Sequence, residues 1–151
     1  MNISRRKMIS TAVTAAVGSI FATRLGRALA SPEDAKALID SFTGGAAPAT
    51  GTITLKTPEI AENGNTVPIS FSVDSPMTED SYVESVMIVA EQNPLPNVAT
   101  FHFTPASGIA KASTRMRLAK TQNVIAVAKM SDGSVFSESK NIKVTIGGCG
   151  G

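Results

Sequence analysis

From Thr52 to Ile146, apolar side chains recur at every second position, and short runs of Gly, Pro, Asn, Asp and Ser interrupt them at regular intervals. Successive side chains of a strand point to opposite faces, so a period of two is the signature of strands with one buried face. Ile53 and Leu55 alternate within Thr52–Lys56, and Val67, Ile69, Phe71 and Val73 alternate with Pro68, Ser70, Ser72 and Asp74. Pro68 donates no hydrogen bond, which puts it on an edge strand or among a strand's first residues. Tyr82–Glu91 is a longer, nearly continuous apolar run. Ala99, Phe101 and Phe103 form the next strand, closed by Pro105 and Gly108. Ile109–Leu118, Val124–Met130, Ser134–Ser139 and Ile142–Ile146 complete the set, with turns at Glu62–Asn65 (Asn63-Gly64 at the centre), Pro94–Asn97 and Ser131–Gly133. Seven or eight short strands without a second helix predict a mainly β fold, an immunoglobulin-like antiparallel β-sandwich over 46–146. The chain has one cysteine and no tryptophan, so only the architecture is implied and not the true immunoglobulin core.

A short helix precedes the strands, within 31–45. Ser31 can cap it, Pro32 suits the first helical position, and Glu33 and Asp34 favour the positive end of the dipole. Ala35, Leu38, Ile39 and Phe42 follow at helical spacing until Gly44-Gly45 stops the helix. That stripe must pack on the helix's own domain or on a partner subunit. Ala46–Gly51 reads as a linker of small residues.

Residues 1–30 read as an address. Arg5-Arg6-Lys7 precedes an apolar run of small residues that ends at Ala28-Leu29-Ala30, the pattern of a twin-arginine export signal with a small-x-small cleavage site. The run is short and rich in Thr, Ser and Ala for a spanning helix, so no membrane association is expected after cleavage. The expected location is the periplasm. Five of the fourteen basic residues and none of the twelve acidic ones lie in this segment, so the mature chain changes from +2 to about −3. The basic balance of the full chain therefore gives no argument for nucleic acid.

The sequence ends Gly147-Gly148-Cys149-Gly150-Gly151. Glycine adopts positive and negative φ with similar ease, so residues 147–151 are expected to form a flexible arm with Cys149 beyond the fold. Counted from Ile146, the backbone reaches roughly 10 Å to Cys149. Four glycines offer no packing partners to a buried thiol. An exposed free thiol in an oxidising compartment is a liability unless it has a use. A zinc or C-x-x-C redox site needs a second cysteine, which the chain lacks.

The remaining candidates for chemistry are weak. His102 is the sole histidine and lies between Phe101 and Phe103, so it points outward if the phenylalanines are core. A blue-copper site needs two histidines and a cysteine on a rigid loop. Glu59 with Glu62, and Glu79 with Asp80, fall in turn-rich stretches where carboxylates are solvated. No catalytic residue and no metal ligand is assigned, and the chain reads as a substrate of enzymes more than as one.

The short helix ending Phe42-Thr43-Gly44-Gly45, the stretch Pro58–Gly64 leading into Val67-Pro68, and the terminal Gly-Gly-Cys-Gly-Gly together resemble the SoxY family of the periplasmic thiosulfate-oxidising (Sox) system. The similarity runs over the whole mature chain, and the terminal motif is its most specific part. The resemblance implies a sulfur carrier without a cofactor of its own that pairs with SoxZ, another small β-sandwich. It implies that the haem c enzyme SoxXA joins thiosulfate to Cys149 oxidatively and that the dimanganese hydrolase SoxB releases sulfate. SoxCD, where present, oxidises the remaining sulfane sulfur. The alternatives are a secreted immunoglobulin-like structural or adhesion module with an incidental thiol, a carrier using a terminal thiocarboxylate at Gly151, and a copper or redox enzyme.

Overall fold

The computed structural model describes residues 31–148. The elements run in the order α1 (Pro32–Thr43), β1 (Ile53–Lys56), β2 (Ile60–Asn63), β3 (Val67–Val73), β4 (Val83–Ala90), β5 (Asn97–His102), a single 3₁₀ turn at Pro105–Ser107, β6 (Ala110–Met116), β7 (Gln122–Met130) and β8 (Val135–Ile146). Two sheets result, a three-stranded one ordered β1-β3-β6 and a five-stranded one ordered β2-β8-β7-β4-β5. The architecture is the β-sandwich that the alternation predicts.

The main core fills the space between the sheets. Val67, Ile69, Phe71 and Val73 from β3 meet Val83, Val86 and Ile88 from β4 and Val124, Ala126 and Ala128 from β7. Phe71 stacks edge-on against both Phe101 (5.2 Å between ring centroids) and Phe103 (6.3 Å). Alternation then turns His102 outward, where it is exposed on edge strand β5 opposite Ser85.

β4 is apolar on both faces because it has two cores to serve. Its outward residues Met87 and Val89 are buried beneath α1, where they pack with Ala35, Leu38, Ile39, Phe42 and Ile125. The helix thus docks on its own domain. Ser31 caps it, accepting from the Asp34 amide while the Asp34 carboxylate accepts from the Ser31 amide, and Gly44 ends it at φ 67°. Phe42→Ala is expected to lower stability by about 2 kcal/mol, half the cost at a fully buried site, because the ring is only half covered. Urea denaturation checks this, and an unchanged midpoint would mean that α1 does not dock in solution.

Four local expectations need correction. The pairing is not wholly antiparallel: β2 runs parallel to the end of β8, with Ile60, Ala61 and Asn63 opposite Lys143, Val144 and Ile146. β2 itself lies where the sequence suggested only a turn. The stretches Ser134–Ser139 and Ile142–Ile146 are one strand, bridged across the break in alternation by Asn141 donating to the Asn123 side chain at 2.9 Å. Pro68 is second in β3, among the strand's first residues as expected, although β3 is central; β1 stops opposite Ser70, so Pro68 has a neighbour on one side only. The Ala46–Gly51 segment is also less free than a linker. Ala49 donates to Val135 O at 2.9 Å and accepts from the Ser137 amide at 2.8 Å, which ties it to β8.

Candidate functional site

The place where the chain leaves the sandwich is built from three segments. β8 delivers Ile146, the β2–β3 connection delivers Gly64, and the β6–β7 connection delivers Leu118 and Ala119. Backbone hydrogen bonds close them into a ring: Gly64 N–H donates to Ile146 O at 2.7 Å, Leu118 N–H to Gly64 O at 2.8 Å, and Gly148 N–H to Leu118 O at 2.9 Å. Thr121 adds a second tie, accepting from the Val144 amide at 2.9 Å.

This ring explains three glycines, and conformational freedom is not the reason for them. None of Gly64, Gly147 and Gly148 has a positive φ. A Cβ on Gly64 would lie 2.3 Å from Leu118 O and 2.7 Å from Gly148 N. One on Gly147 would lie 2.2 Å from Ala119 O, and one on Gly148 would lie 2.8 Å from Gly64 O. Each contact is with backbone, which has no spare room to yield. Close approach of main chains selects glycine here.

The ring is held from inside by two neutral carboxamides. Asn93 donates to Arg117 O at 2.8 Å and accepts from the Ala119 amide at 3.0 Å. Gln122, 1% exposed, donates to Asn93 Oδ1 at 2.9 Å and to Lys120 O at 3.1 Å, and accepts from the Gln92 amide at 2.8 Å. The 117–120 backbone thereby acquires one shape, and Leu118 O is aimed at the Gly148 amide. Every partner in this chain of contacts is an amide or a carbonyl, so nothing in it titrates between acid and alkaline extremes.

The sequence placed the flexible arm at 147–151. Gly147 and Gly148 are instead part of the folded body, Gly148 buried and hydrogen-bonded. Cys149, Gly150 and Gly151 lie outside the described residues, as do Arg5, Arg6, Ala28 and Ala30 of the export signal. Glu59, Glu62, Glu79 and Asp80 are exposed, and the structure brings none of them together with His102 at the exit. Among the described residues no group of three or more His, Cys, Asp or Glu side chains is placed to hold a metal ion. Among them, too, no helix is long and apolar enough to cross a membrane. Gly64, Asn93, Leu118 and Gln122 escaped sequence reasoning: Asn63-Gly64 looks like an ordinary turn, and a buried carboxamide leaves no periodic trace.

The family model described as "Sulfur oxidation protein SoxY" matches residues 39–149. The sulfur carrier protein SoxY of Chlorobium limicola f. thiosulfatophilum is similar in structure, with a TM-score of 0.61 and 30% identity over 72% of this chain and 89% of that one. A superoxide reductase (neelaredoxin) of Ignicoccus hospitalis shares the fold at 18% identity and a TM-score of 0.57, covering 81% of this chain and 98% of that one. The superoxide reductase of Nanoarchaeum equitans does so at 13% and 0.53, over 63% and 99%. No curated protein sequence matches. The sandwich is thus common to proteins of different chemistry, whereas the family match extends over the glycine exit and reaches Cys149. This chain belongs to the SoxY family of sulfur oxidation proteins.

Proposed function

We propose that this protein is a covalent sulfur carrier of thiosulfate oxidation, with Cys149 as the carrying group and no catalytic role of its own. The observation that supports this most is the family match ending on the chain's single cysteine, next to an exit that the fold builds with care. Joining a thiol to thiosulfate removes two electrons, so loading calls for an oxidising enzyme. Loading joins the Cys149 sulfur to the sulfane sulfur of thiosulfate. The S–H bond is lost, a proton leaves to solvent, and two electrons pass to a haem c acceptor of the SoxXA type. Water then attacks the terminal sulfone sulfur and breaks its bond to the sulfane sulfur, releasing sulfate and two protons and leaving a persulfide anion on Cys149; SoxB is the fitting hydrolase. SoxCD, where present, oxidises that sulfane sulfur further.

Holding the intermediate by a covalent bond raises its effective concentration at each partner without release. SoxZ is the proposed stable partner. With the apolar stripe of α1 committed to its own domain, the edge strands β1, β2, β5 and β6 are candidate surfaces for it. The Arg5-Arg6 signal and the small-x-small stretch Ala28-Leu29-Ala30 support export to the periplasm as part of this reading. Gly150→Val is expected to slow enzymatic loading by about tenfold at unchanged thermal stability, since a thin terminus must enter a narrow cleft. Single-turnover loading rates check this, and equal rates would remove steric thinness from the account.

A further inference from the structure

We propose that Gly64, Leu118 and Gly148 form a fixed collar, positioned by Asn93 and Gln122, which sets the pivot of the carrier arm at the Gly148–Cys149 linkage. The inference rests on reading Cys149 as the carrying residue. It differs from the motif's apparent meaning, in which all four glycines are leash.

Three independent features converge on the collar. The hydrogen bonds Gly64 N–H to Ile146 O, Leu118 N–H to Gly64 O and Gly148 N–H to Leu118 O tie the departing chain to two other segments. The space at Gly64, Gly147 and Gly148 is too small for any Cβ, so the backbones are in contact and the chain there has no room to swing. The buried pair Asn93 and Gln122 spends its hydrogen-bonding capacity on the 117–120 backbone, the Gln92 amide and each other.

Reach follows from this. Adjacent Cα atoms are 3.8 Å apart, so with its own side chain the Cys149 sulfur stays within about 6 Å of the Gly148 Cα. An enzyme acting on that sulfur must bring its reacting atoms to the collar. Its docking surface then meets the exposed rim: Asn65, Lys120 and Ile146, the last 67% exposed. Gly64, Asn93 and Gln122 are positioning residues for sulfur transfer, acting through Gly148.

The test uses the full mature chain. Amide hydrogen exchange in the unsubstituted protein should show Gly148 protected about 100-fold or more, like the adjoining strand ends. A nitroxide attached to Cys149, the sole cysteine, should give a motionally restricted spectrum. In Gly64→Ala and in Asn93→Ala, the Gly148 protection should be lost and the nitroxide spectrum should gain a fast component, while the Val127 and Ala128 amides of β7 stay protected. An unprotected Gly148 amide in the unsubstituted chain overturns the collar, whether or not the variants fold. So does an unchanged nitroxide spectrum in a folded variant. Neither readout involves sulfur chemistry, so a failed collar leaves the carrier reading standing, and a failed carrier reading leaves the collar standing.

Discussion

Cys149→Ser is expected to reduce thiosulfate-dependent sulfur carriage to background while the protein stays folded. A serine hydroxyl cannot form the sulfur–sulfur bond on which loading depends, and it is a far weaker nucleophile at neutral pH than a thiol with a small thiolate fraction. The strand ladders and both apolar clusters are assembled from residues that precede position 149. Circular dichroism and the urea midpoint should therefore match those of the parent chain. Thiosulfate turnover by the reconstituted system, with the variant in place of the parent, gives the answer directly. Residual turnover at the parent rate would move the carrying group elsewhere.

Gln122→Ala is expected to have the largest effect on stability. The side chain is 1% exposed and bonds to the Gln92 amide, Asn93 Oδ1 and Lys120 O at once. Truncation strands the Gln92 N–H, deprives Asn93 of a donor, and leaves a small cavity between the β4–β5 and β6–β7 connections. A buried polar group left unpaired costs about 1–3 kcal/mol, and the cavity adds to this, so a loss of about 3 kcal/mol is expected. Urea denaturation should show it as a lowered midpoint at constant slope. A change below about 1 kcal/mol would mean that water replaces the carboxamide without penalty. Partial loss of sulfur loading under folding conditions is expected as well, since Leu118 O no longer holds a fixed place for the Gly148 amide.

The sandwich was legible in the sequence because burial of one sheet face imposes a period that a reader can count. Val67, Ile69, Phe71 and Val73 mark β3 without help from the rest of the chain, and the apolar stripe at Ala35, Leu38, Ile39 and Phe42 marks α1. The unbroken run Val86–Ala90 also had a meaning: Met87 and Val89 are apolar because α1 covers the outer face of that strand. β2 was hidden since it pairs in parallel with a strand some eighty residues away and has one buried residue, Ala61, in four. The exit was half legible. The glycines near Cys149 were visible, but glycine answers two opposite needs, freedom and close approach, and composition does not separate them. At Gly147 and Gly148 close approach applies, because Ala119 O and Gly64 O occupy the space where side chains would sit.

The most direct test of the central claim is intact mass spectrometry of the mature chain after incubation with thiosulfate and its haem c oxidising partner. The account predicts a mass increase of one thiosulfate, confined to the C-terminal peptide containing Cys149, converted to a single added sulfur by the hydrolase and absent from Cys149→Ser. An unmodified Cys149 in a system that is oxidising thiosulfate, or an adduct on another residue, would contradict it.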